Sequence, residues 1–371
     1  MTALYFDYNA TTPVLPRIRE SMLPFLGPVF GNPGSDHVFG LHAKEGVHKG
    51  RFSISSLLGC RPEEVIFTGC ATESNNLALL GTLVSGDHVI TSSVEHPAVL
   101  EPLKHFAKNN GKITILPVDQ NGLVSPEDAA RSVTPETKLV SVMLANNETG
   151  AIQPVARLAA LIREKKSDVL VHTDAAQAVG KIPVRVDRLG IDLLSMAGHK
   201  LYAPKGIGAL YVREGVRLAP LTHGGGQERG LRPGTENVAS IAGLGEACAM
   251  ADEDLDREGE RQEHLGSLLL RGIEDLGVPF RIHGRGAPRL PNTMSIGFKN
   301  MRAADIISGL VGQDVAVSAG AACHGLHVGT MSHVLQAMSV DPCFGLGTIR
   351  ISWGRLTSLR DVQQCLERLA S

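Results

Sequence analysis

The fold of this chain is decided by two short apolar stretches, Leu170-Val171-His172-Thr173-Asp174 and Leu193-Leu194-Ser195-Met196-Ala197-Gly198-His199-Lys200. Both have the length and apolar content of buried β-strands. A carboxylate closes the first stretch, and an amine follows the second. Because neighbouring parallel strands end at the same edge of a sheet, we expect Asp174 and Lys200 to lie close together at that edge.

Short apolar runs alternate with helix-like runs from about residue 51 to residue 213. The predicted strands are Glu64–Thr68, His88–Ser92, Lys112–Leu116, Leu139–Asn146, Val169–Asp174, Leu193–Ala197 and Ala209–Val212, and the predicted helices are Glu73–Thr82, Ala98–Asn109, Pro126–Ser132 and Val155–Lys166. This alternation is typical of an α/β protein with a mainly parallel seven-stranded sheet between helices.

A smaller α+β unit is predicted after a charged segment, residues 252–258, and a helical stretch that reaches about Leu276. Its predicted strands are Asn292–Gly297, Ala316–Ser318 and Thr348–Ser352, and its predicted helices are Ala303–Leu310 and Ser358–Leu369. We expect a large domain over residues 15–250, and a small domain formed by residues 1–14 together with residues 251–371.

The composition of the 371 residues excludes several classes of function. A net charge of −2 and the lack of a long basic run argue against nucleic acid as a direct ligand. No apolar run has membrane-spanning length, and the first residues do not resemble a targeting signal. The six cysteines are scattered without C-x-x-C pairs, which argues against zinc and disulfides. A cytoplasmic protein without a metal site is expected.

Asp174 and Lys200 together suit pyridoxal phosphate. A lysine amine can hold the aldehyde of this cofactor as a Schiff base, and an aspartate can keep its pyridine nitrogen protonated. Gly69 to Asn76 follow a predicted strand and open a helix, so their backbone N–H groups and the Thr72 hydroxyl can form an anion cradle. The alternatives are a solvated lysine at position 200 and a simple helix cap at Thr72.

Three further polar residues follow predicted strands. His96 could stack on a planar ring and move protons, Asn147 could bond a phenolic oxygen, and Gln177 would share a face with Asp174 if a helix begins there. The alternatives are a structural histidine at position 96 and an ordinary turn at Asn147.

The C-terminal half contains three more candidates. Thr235 lies in a glycine-rich region with phosphate-binding character. Cys323 lies among small residues beside two histidines that favour a thiolate, although a buried inert cysteine is the common alternative. Arg350 on a predicted strand could clamp an α-carboxylate, whereas Arg355 beyond the strand is expected to be solvated.

The order of these motifs resembles that of the fold-type I pyridoxal phosphate enzymes, and among them the class V aminotransferase-like cysteine desulfurases and selenocysteine lyases. The resemblance spans almost the whole chain. It rests on Asp7-Tyr8-Asn9-Ala10-Thr11-Thr12, Gly31-Asn32-Pro33, Asn146-Asn147-Glu148-Thr149-Gly150, Gly198-His199-Lys200 and Arg232-Pro233-Gly234-Thr235.

The resemblance implies a role for each candidate. The implied roles are a Schiff base for Lys200, contact with the pyridine nitrogen for Asp174, ring stacking for His96, contact with the phenolic oxygen or substrate for Gln177 and Asn147, phosphate binding for Ala71, Thr72 and His199, and the substrate carboxylate for Arg350. Thr235 would reach the phosphate in the partner subunit, so the resemblance implies a homodimer.

The implied activity is that of an L-cysteine desulfurase, which forms L-alanine and a persulfide on Cys323 and passes the sulfur to an acceptor protein. The Gly-Ala-Ala-Cys-His sequence around Cys323 resembles selenocysteine lyases, which remain an alternative. The same scaffold also suits a transaminase, a C–S lyase or a non-catalytic, partner-binding homologue. Many cysteine desulfurases have a serine where this chain has Ala197 or Gly198, so weaker cofactor retention is expected.

Overall fold

The computed structural model describes residues 3–319 and 330–370. Its strands are β1 (Leu4–Tyr5), β2 (Val65–Thr68), β3 (His88–Ser92), β4 (Lys112–Leu116), β5 (Thr137–Ser141), β6 (Leu170–Asp174), β7 (Leu193–Ala197), β8 (Gly208–Val212), β9 (Phe280–Ile282), β10 (Thr293–Phe298), β11 (Val315–Ala316) and β12 (Thr348–Ser352). Its helices are α1 (Pro16–Met22), α2 (Val38–Leu58), α3 (Ala71–Leu80), α4 (Pro97–Lys108), α5 (Pro126–Arg131), α6 (Val155–Lys165), α7 (Val186–Leu189), α8 (Val238–Asp275), α9 (Ala303–Val311), α10 (His333–Ala337), α11 (Pro342–Gly345) and α12 (Leu359–Ala370).

The large sheet has seven strands in the order β2-β8-β7-β6-β5-β3-β4. All of its pairings are parallel except those of β8, which runs antiparallel to both β2 and β7. Strands β6 and β7 are neighbours, and Asp174 pairs in register with Ser195. The predicted α/β class with a mainly parallel seven-stranded sheet is confirmed.

A buried histidine joins the three central strands. His172 on β6 has its Nδ1 2.8 Å from Ser141 Oγ on β5 and its Nε2 3.0 Å from Ser195 Oγ on β7. Burial lowers the pKa of His172 to about 3, so the ring is neutral at physiological pH. These bonds satisfy the polar atoms inside the sheet and hold β6, which carries Asp174, in place.

The prediction of a strand from Leu139 to Asn146 was wrong at its C-terminal end, because β5 ends at Ser141. The backbone N–H of Met143 bonds the buried carboxyl group of Glu95 at 2.9 Å rather than another strand. Asn146 then accepts hydrogen bonds from the N–H groups of Glu148 and Thr149, which forms a turn. Polar side chains that take backbone hydrogen bonds from the sheet thus end the strand early.

Two smaller sheets lie in the C-terminal part of the chain. Strands β12, β10 and β9 form an antiparallel sheet, and β1 pairs in parallel with β11. Side chains from β1, β10, β12 and α12 share one hydrophobic core, separate from the two cores that cover the large sheet. The first strand of the chain therefore packs with residues near its other end.

Helix α8 contributes to two of these cores. Its first half buries Ile241 and Leu244 in a core of the large sheet, and its second half buries Leu265 and Leu269 beside β10 and β12. The backbone leaves helical geometry at Asp254 (φ −143°), which kinks the helix between the two halves. The predicted domain boundary at residue 250 falls inside this helix, and the division into domains stays a prediction.

Helices α1 and α2 were not predicted, although α2 makes extensive contacts with α8.

Among the helices of the described residues, none combines the length and apolar content needed to cross a bilayer. The same residues contain no group of three or more histidine, cysteine or carboxylate side chains placed to hold a metal ion.

Candidate active site

A cavity of about 270 Å³ lies where β2, β3, β6 and β7 reach their carboxyl ends. Many of the predicted site residues line it, namely Ala71, Thr72, His96, Asn147, Asp174, Gln177, His199, Lys200 and Arg350. These residues come from six separate segments of the chain and meet in one place, as expected for a ligand site at the carboxyl edge of an α/β sheet.

Asp174 is a buried carboxylate with neutral hydrogen-bond donors. It is 6% exposed, its Oδ2 accepts from Asn75 Nδ2 at 2.7 Å, and its Oδ1 accepts from the N–H of Ala176 at 2.9 Å. No lysine or arginine of residues 3–319 and 330–370 forms a salt bridge with it. A buried anion without a cationic partner is costly, so a cavity with this wall suits a ligand that carries a protonated ring nitrogen.

The N-terminus of α3 forms another wall. Cys70 is the N-cap residue, and its side chain makes no cap hydrogen bond. Thr72 lies in the first turn, so the alternative in which Thr72 caps the helix was wrong. Uncapped N–H groups at the positive end of a helix dipole suit a phosphate group.

Lys200 ends the turn Gly198–Lys200, directly after β7. Its Nζ donates hydrogen bonds to the carbonyl oxygens of Asn9 (2.5 Å) and Ala10 (2.7 Å), and it is not a solvated surface lysine. Burial, followed by the nearby charges of Lys200 and other lysines, lowers the pKa of His199 to about 4. His199 therefore faces the cavity as a neutral imidazole.

His96 caps the N-terminus of α4. Its Nδ1 accepts a hydrogen bond from the N–H of Ala98 at 3.0 Å. A neutral ring in this position carries its proton on Nε2. In that state, His96 is a hydrogen-bond donor through Nε2, and its Nδ1 is occupied by the backbone.

Gln177 lines the cavity, but no helix begins there, so the condition under which it would share a helical face with Asp174 is not met. Residues 175–180 form turns that end at Gly180, whose φ of +75° favours glycine. The side chain is 5% exposed, and its Nε2 donates to the carbonyl oxygen of Asn9 at 3.0 Å. Asn147 joins the same wall, and its carbonyl oxygen accepts from Arg350.

Arg350 is 2% exposed and lies on β12. Its Nη2 contacts Asp7 Oδ1 at 2.6 Å, and its Nη1 donates to the carbonyl oxygen of Asn147 at 3.0 Å, while its buried Nε has no partner within the described chain. The expectation of a solvated Arg355 was wrong. That side chain pairs with Asp254 through both terminal nitrogens, beside the kink in α8.

Of the remaining two predicted residues, one does not line the cavity and the other cannot be located in the described part of the chain. Thr235 is exposed and lies outside the cavity lining. Cys323 lies outside the described residues, so the part of the prediction that concerns its thiol stays a prediction.

Several residues that shape the site were not predicted from the sequence. They are Asn75, the partner of Asp174; Asn9 and Ala10, which receive Lys200; Asp7, the partner of Arg350; Glu148 and His333, which line the cavity; and Lys181, which contacts Gln177. Asn75 could have been found, because it lies one helical turn after Ala71 in a motif already assigned to phosphate. Asp7, Asn9 and Ala10 depend on contacts across long distances in the sequence.

These residues fit pyridoxal phosphate. Asp174 offers the buried anion for a pyridinium, the first turn of α3 offers donors for a phosphate, and Lys200 offers an amine in the same cavity. The chemistry of these donors therefore agrees with the cofactor predicted from the sequence.

Known proteins resemble this chain over almost its whole length. The family model for aminotransferase class-V matches residues 4–365. A cysteine desulfurase IscS from Dictyoglomus turgidum (strain DSM 6724 / Z-1310) is 42% identical over 370 residues, which cover 99% of this chain and 93% of that protein.

Solved structures give the same result. One described as a NifS-like protein has a TM-score of 0.92 and 39% identity, covering 100% of this chain and 98% of that one. Another, of SspA in complex with cysteine, has a TM-score of 0.84 and 35% identity, covering 95% of this chain and 99% of that one.

The chain belongs to the aminotransferase class-V family and, within it, to the cysteine desulfurase group of fold-type I enzymes. The resemblance drawn from the sequence is confirmed. Members of this family use pyridoxal phosphate, as predicted for this chain.

Proposed function

We propose that this protein is a pyridoxal phosphate-dependent cysteine desulfurase, which converts L-cysteine to L-alanine and transfers the sulfur to an acceptor. One observation carries the proposal: Asp174, a buried carboxylate that forms no salt bridge with the described residues, shares a cavity with Lys200 in a chain closely similar to cysteine desulfurases. The relative solved with cysteine bound supports an amino acid of this size as the substrate.

When bound, the cofactor supplies an electron-withdrawing ring that stabilises negative charge on the substrate carbon. Lys200 holds the cofactor and exchanges protons with the substrate carbon through Nζ. Asp174 keeps the ring nitrogen protonated, because its own buried charge is stabilised by that proton. His96 donates through Nε2, since its Nδ1 accepts from Ala98.

Arg350 binds the carboxylate of the substrate. Its guanidinium is buried and oriented by Asp7 and by the carbonyl of Asn147. A guanidinium held in this way loses little entropy on binding a carboxylate, which favours tight and directional recognition.

Cys323 takes the sulfur. Its thiolate attacks the sulfur of the substrate, the bond between carbon and sulfur breaks, and the carbon accepts a proton to give alanine. The two sulfur atoms form the persulfide, which then passes its outer sulfur to an acceptor protein.

We also propose a homodimer in which Thr235 contacts the phosphate bound to the partner subunit. Thr235 is exposed and lies outside its own cavity. Seven large apolar side chains between residues 23 and 52 are more than half exposed, among them Leu26 (68%), Phe30 (73%) and Phe52 (65%). An apolar surface of this kind is typical of a protein interface.

A mixed dimer tests this arrangement. We expect Lys200→Ala and Thr235→Ala subunits, inactive or weak alone, to regain activity when mixed, because one of the two shared sites is then intact. A monomer by light scattering, or no regain of activity, would contradict the shared site.

The proposed compartment is the cytoplasm. None of the five cysteines in the described part of the chain forms a disulfide, which supports a reducing environment. Fractionation of cells that express the tagged protein tests this proposal.

Alanine release tests the proposed reaction. The protein loaded with pyridoxal phosphate should release alanine from L-cysteine, and Cys323→Ser should abolish this release while the absorbance of the bound cofactor stays. Selenocysteine serves as the comparison substrate, because turnover of selenocysteine alone would identify a selenocysteine lyase. Pyruvate and ammonia in place of alanine would identify a C–S lyase.

A further inference from the structure

Lys181 lies behind the cavity wall, between two side-chain amides. Its Nζ is 2.7 Å from Gln177 Oε1 and 3.1 Å from Asn9 Oδ1. An ammonium group has donors only, so both of these oxygens accept hydrogen bonds from it. Lys181 itself does not line the cavity.

The contact with Lys181 fixes the orientation of the Gln177 amide. Because Oε1 faces the ammonium, Nε2 lies on the other side, where it donates to the carbonyl oxygen of Asn9 at 3.0 Å. An amide nitrogen has two protons, and Gln177 lines the cavity. Its second N–H is therefore available to a ligand, and its carbonyl oxygen is held away.

Lys181 also fixes Asn9. The Oδ1 of Asn9 accepts from Lys181 and from Asn292 Nδ2, and its Nδ2 donates to Thr293 Oγ1 at 2.8 Å. The backbone carbonyl of Asn9 accepts from Lys200 Nζ. One ammonium thus orients both the amide that faces the cavity and the segment against which the reactive amine lies.

This arrangement is electrostatically unfavourable for Lys181. Burial, and then the positive charges of Lys200 and Arg350, lower its pKa well below the ordinary value. An apolar side chain in the same space would avoid these costs, so the position is better explained by a role in the site than by stability.

We propose that Lys181 is a positioning residue that holds the Gln177 amide with its N–H toward the cavity, so that it binds a negatively charged ligand oxygen. The inference rests on the proposed function, in which that ligand is the phenolic oxygen of pyridoxal phosphate. Without Lys181, the amide can rotate and present its carbonyl oxygen, which repels this anion.

A double-mutant cycle on the cofactor-loaded protein, without substrate, tests the inference. The readout is the pH titration of the absorbance of the bound cofactor. We expect Lys181→Met to raise the apparent pKa of this transition by about one unit, the effect of losing a hydrogen bond to a charged group. In a Gln177→Leu background, Lys181→Met should shift the apparent pKa by less than about 0.3 unit, because the amide through which Lys181 acts is gone.

Equal shifts in both backgrounds would show that Lys181 acts through its charge alone and would overturn the inference. Lys181→Gln separates the same two cases if the methionine variant does not fold. Lys181→Gln retains a hydrogen-bond donor but not the charge. Its bound cofactor should therefore titrate as in the wild type if Lys181 acts by orienting the Gln177 amide, and as in the methionine variant if Lys181 acts only through its charge. A wild-type protein that binds no cofactor would instead contradict the proposed function.

Discussion

The two sides of the cavity are built differently. On one side, called the sheet side, each residue follows a strand of the large sheet or begins the next helix. The other side, called the terminal side, is assembled from residues far apart in the chain. The sheet side consists of Ala71, Thr72, His96, Asp174 and Lys200. The terminal side consists of Asn9 and Arg350, together with Asp7, which does not line the cavity but pairs with Arg350. Asp7 and Arg350 are 343 positions apart and still form a salt bridge.

The two sides differ in what brings their residues together and, we infer, in what they bind. Strand order brings the sheet side together, because parallel strands share one carboxyl edge. Polar contacts between β12, β10 and the N-terminal segment bring the terminal side together. We infer that the sheet side holds the cofactor and that the terminal side captures and orients the substrate.

The largest expected effect is on the sheet side. Asp174→Asn keeps the size of the side chain but removes the charge that stabilises a protonated ring nitrogen. We expect turnover of cysteine to fall by at least about a hundredfold, comparable with the loss of a preorganised electrostatic contact. Alanine release at saturating cofactor measures this, and a change of less than threefold would contradict the role of Asp174.

The next largest effect is expected on the terminal side. Arg350→Lys loses the planar fork that suits a carboxylate, so we expect KM for cysteine to rise about tenfold or more while kcat changes less. Arg355→Lys is the matched control, since that guanidinium pairs with Asp254 and lies outside the cavity lining. A fall in kcat with unchanged KM would place Arg350 on the cofactor rather than on the substrate.

The two sides also differ in how much of them could be predicted from the sequence. Asp174, Lys200 and the start of α3 were predicted, because an apolar run followed by a polar residue marks the end of a strand. Asn9 and Lys181 were not, because nothing in the local pattern reveals that residue 9 meets residues 181 and 292.

The same limit applies to the fold. The strands of the large sheet were largely predicted, whereas the end of β5 was not, since it depends on the carboxyl group of Glu95. Helix α8 crosses the expected domain boundary because each half of it packs in a different core.

The buried carboxyl group of Glu95 gives a prediction about the pH dependence of stability. Burial raises the pKa of Glu95 to about 8, partly opposed by hydrogen bonds from Ser92 and Met143. The folded protein therefore keeps this proton up to about pH 8, whereas the unfolded chain loses it near its ordinary pKa of 4.5. The contribution of Glu95 to stability is complete below that lower pH and is lost as the pH rises toward 8.

Glu95→Gln removes this titration. Relative to wild type, the variant should gain stability between pH 5 and pH 9, as measured by urea unfolding of both proteins at about these values. A difference in stability that does not change with pH would show that Glu95 is already ionised in the folded protein.

The smallest expected effect concerns one contact of the terminal side. Thr293→Val removes the hydroxyl that accepts from Asn9 Nδ2 at 2.8 Å, and we expect a loss of about 1 kcal/mol in the free energy of unfolding. Thr293→Ser keeps the hydroxyl and is the control. Equal stability of the valine and serine variants would show that this contact does not hold Asn9.

Borohydride reduction tests the central claim most directly, because it fixes a Schiff base permanently to the amine that forms it. After reduction of the cofactor-loaded protein and digestion, we predict that the cofactor is found on the peptide that contains Lys200, and on no peptide of Lys200→Ala. A label on another lysine, or no label on wild type, would contradict the assignment of Lys200 and of the site around it.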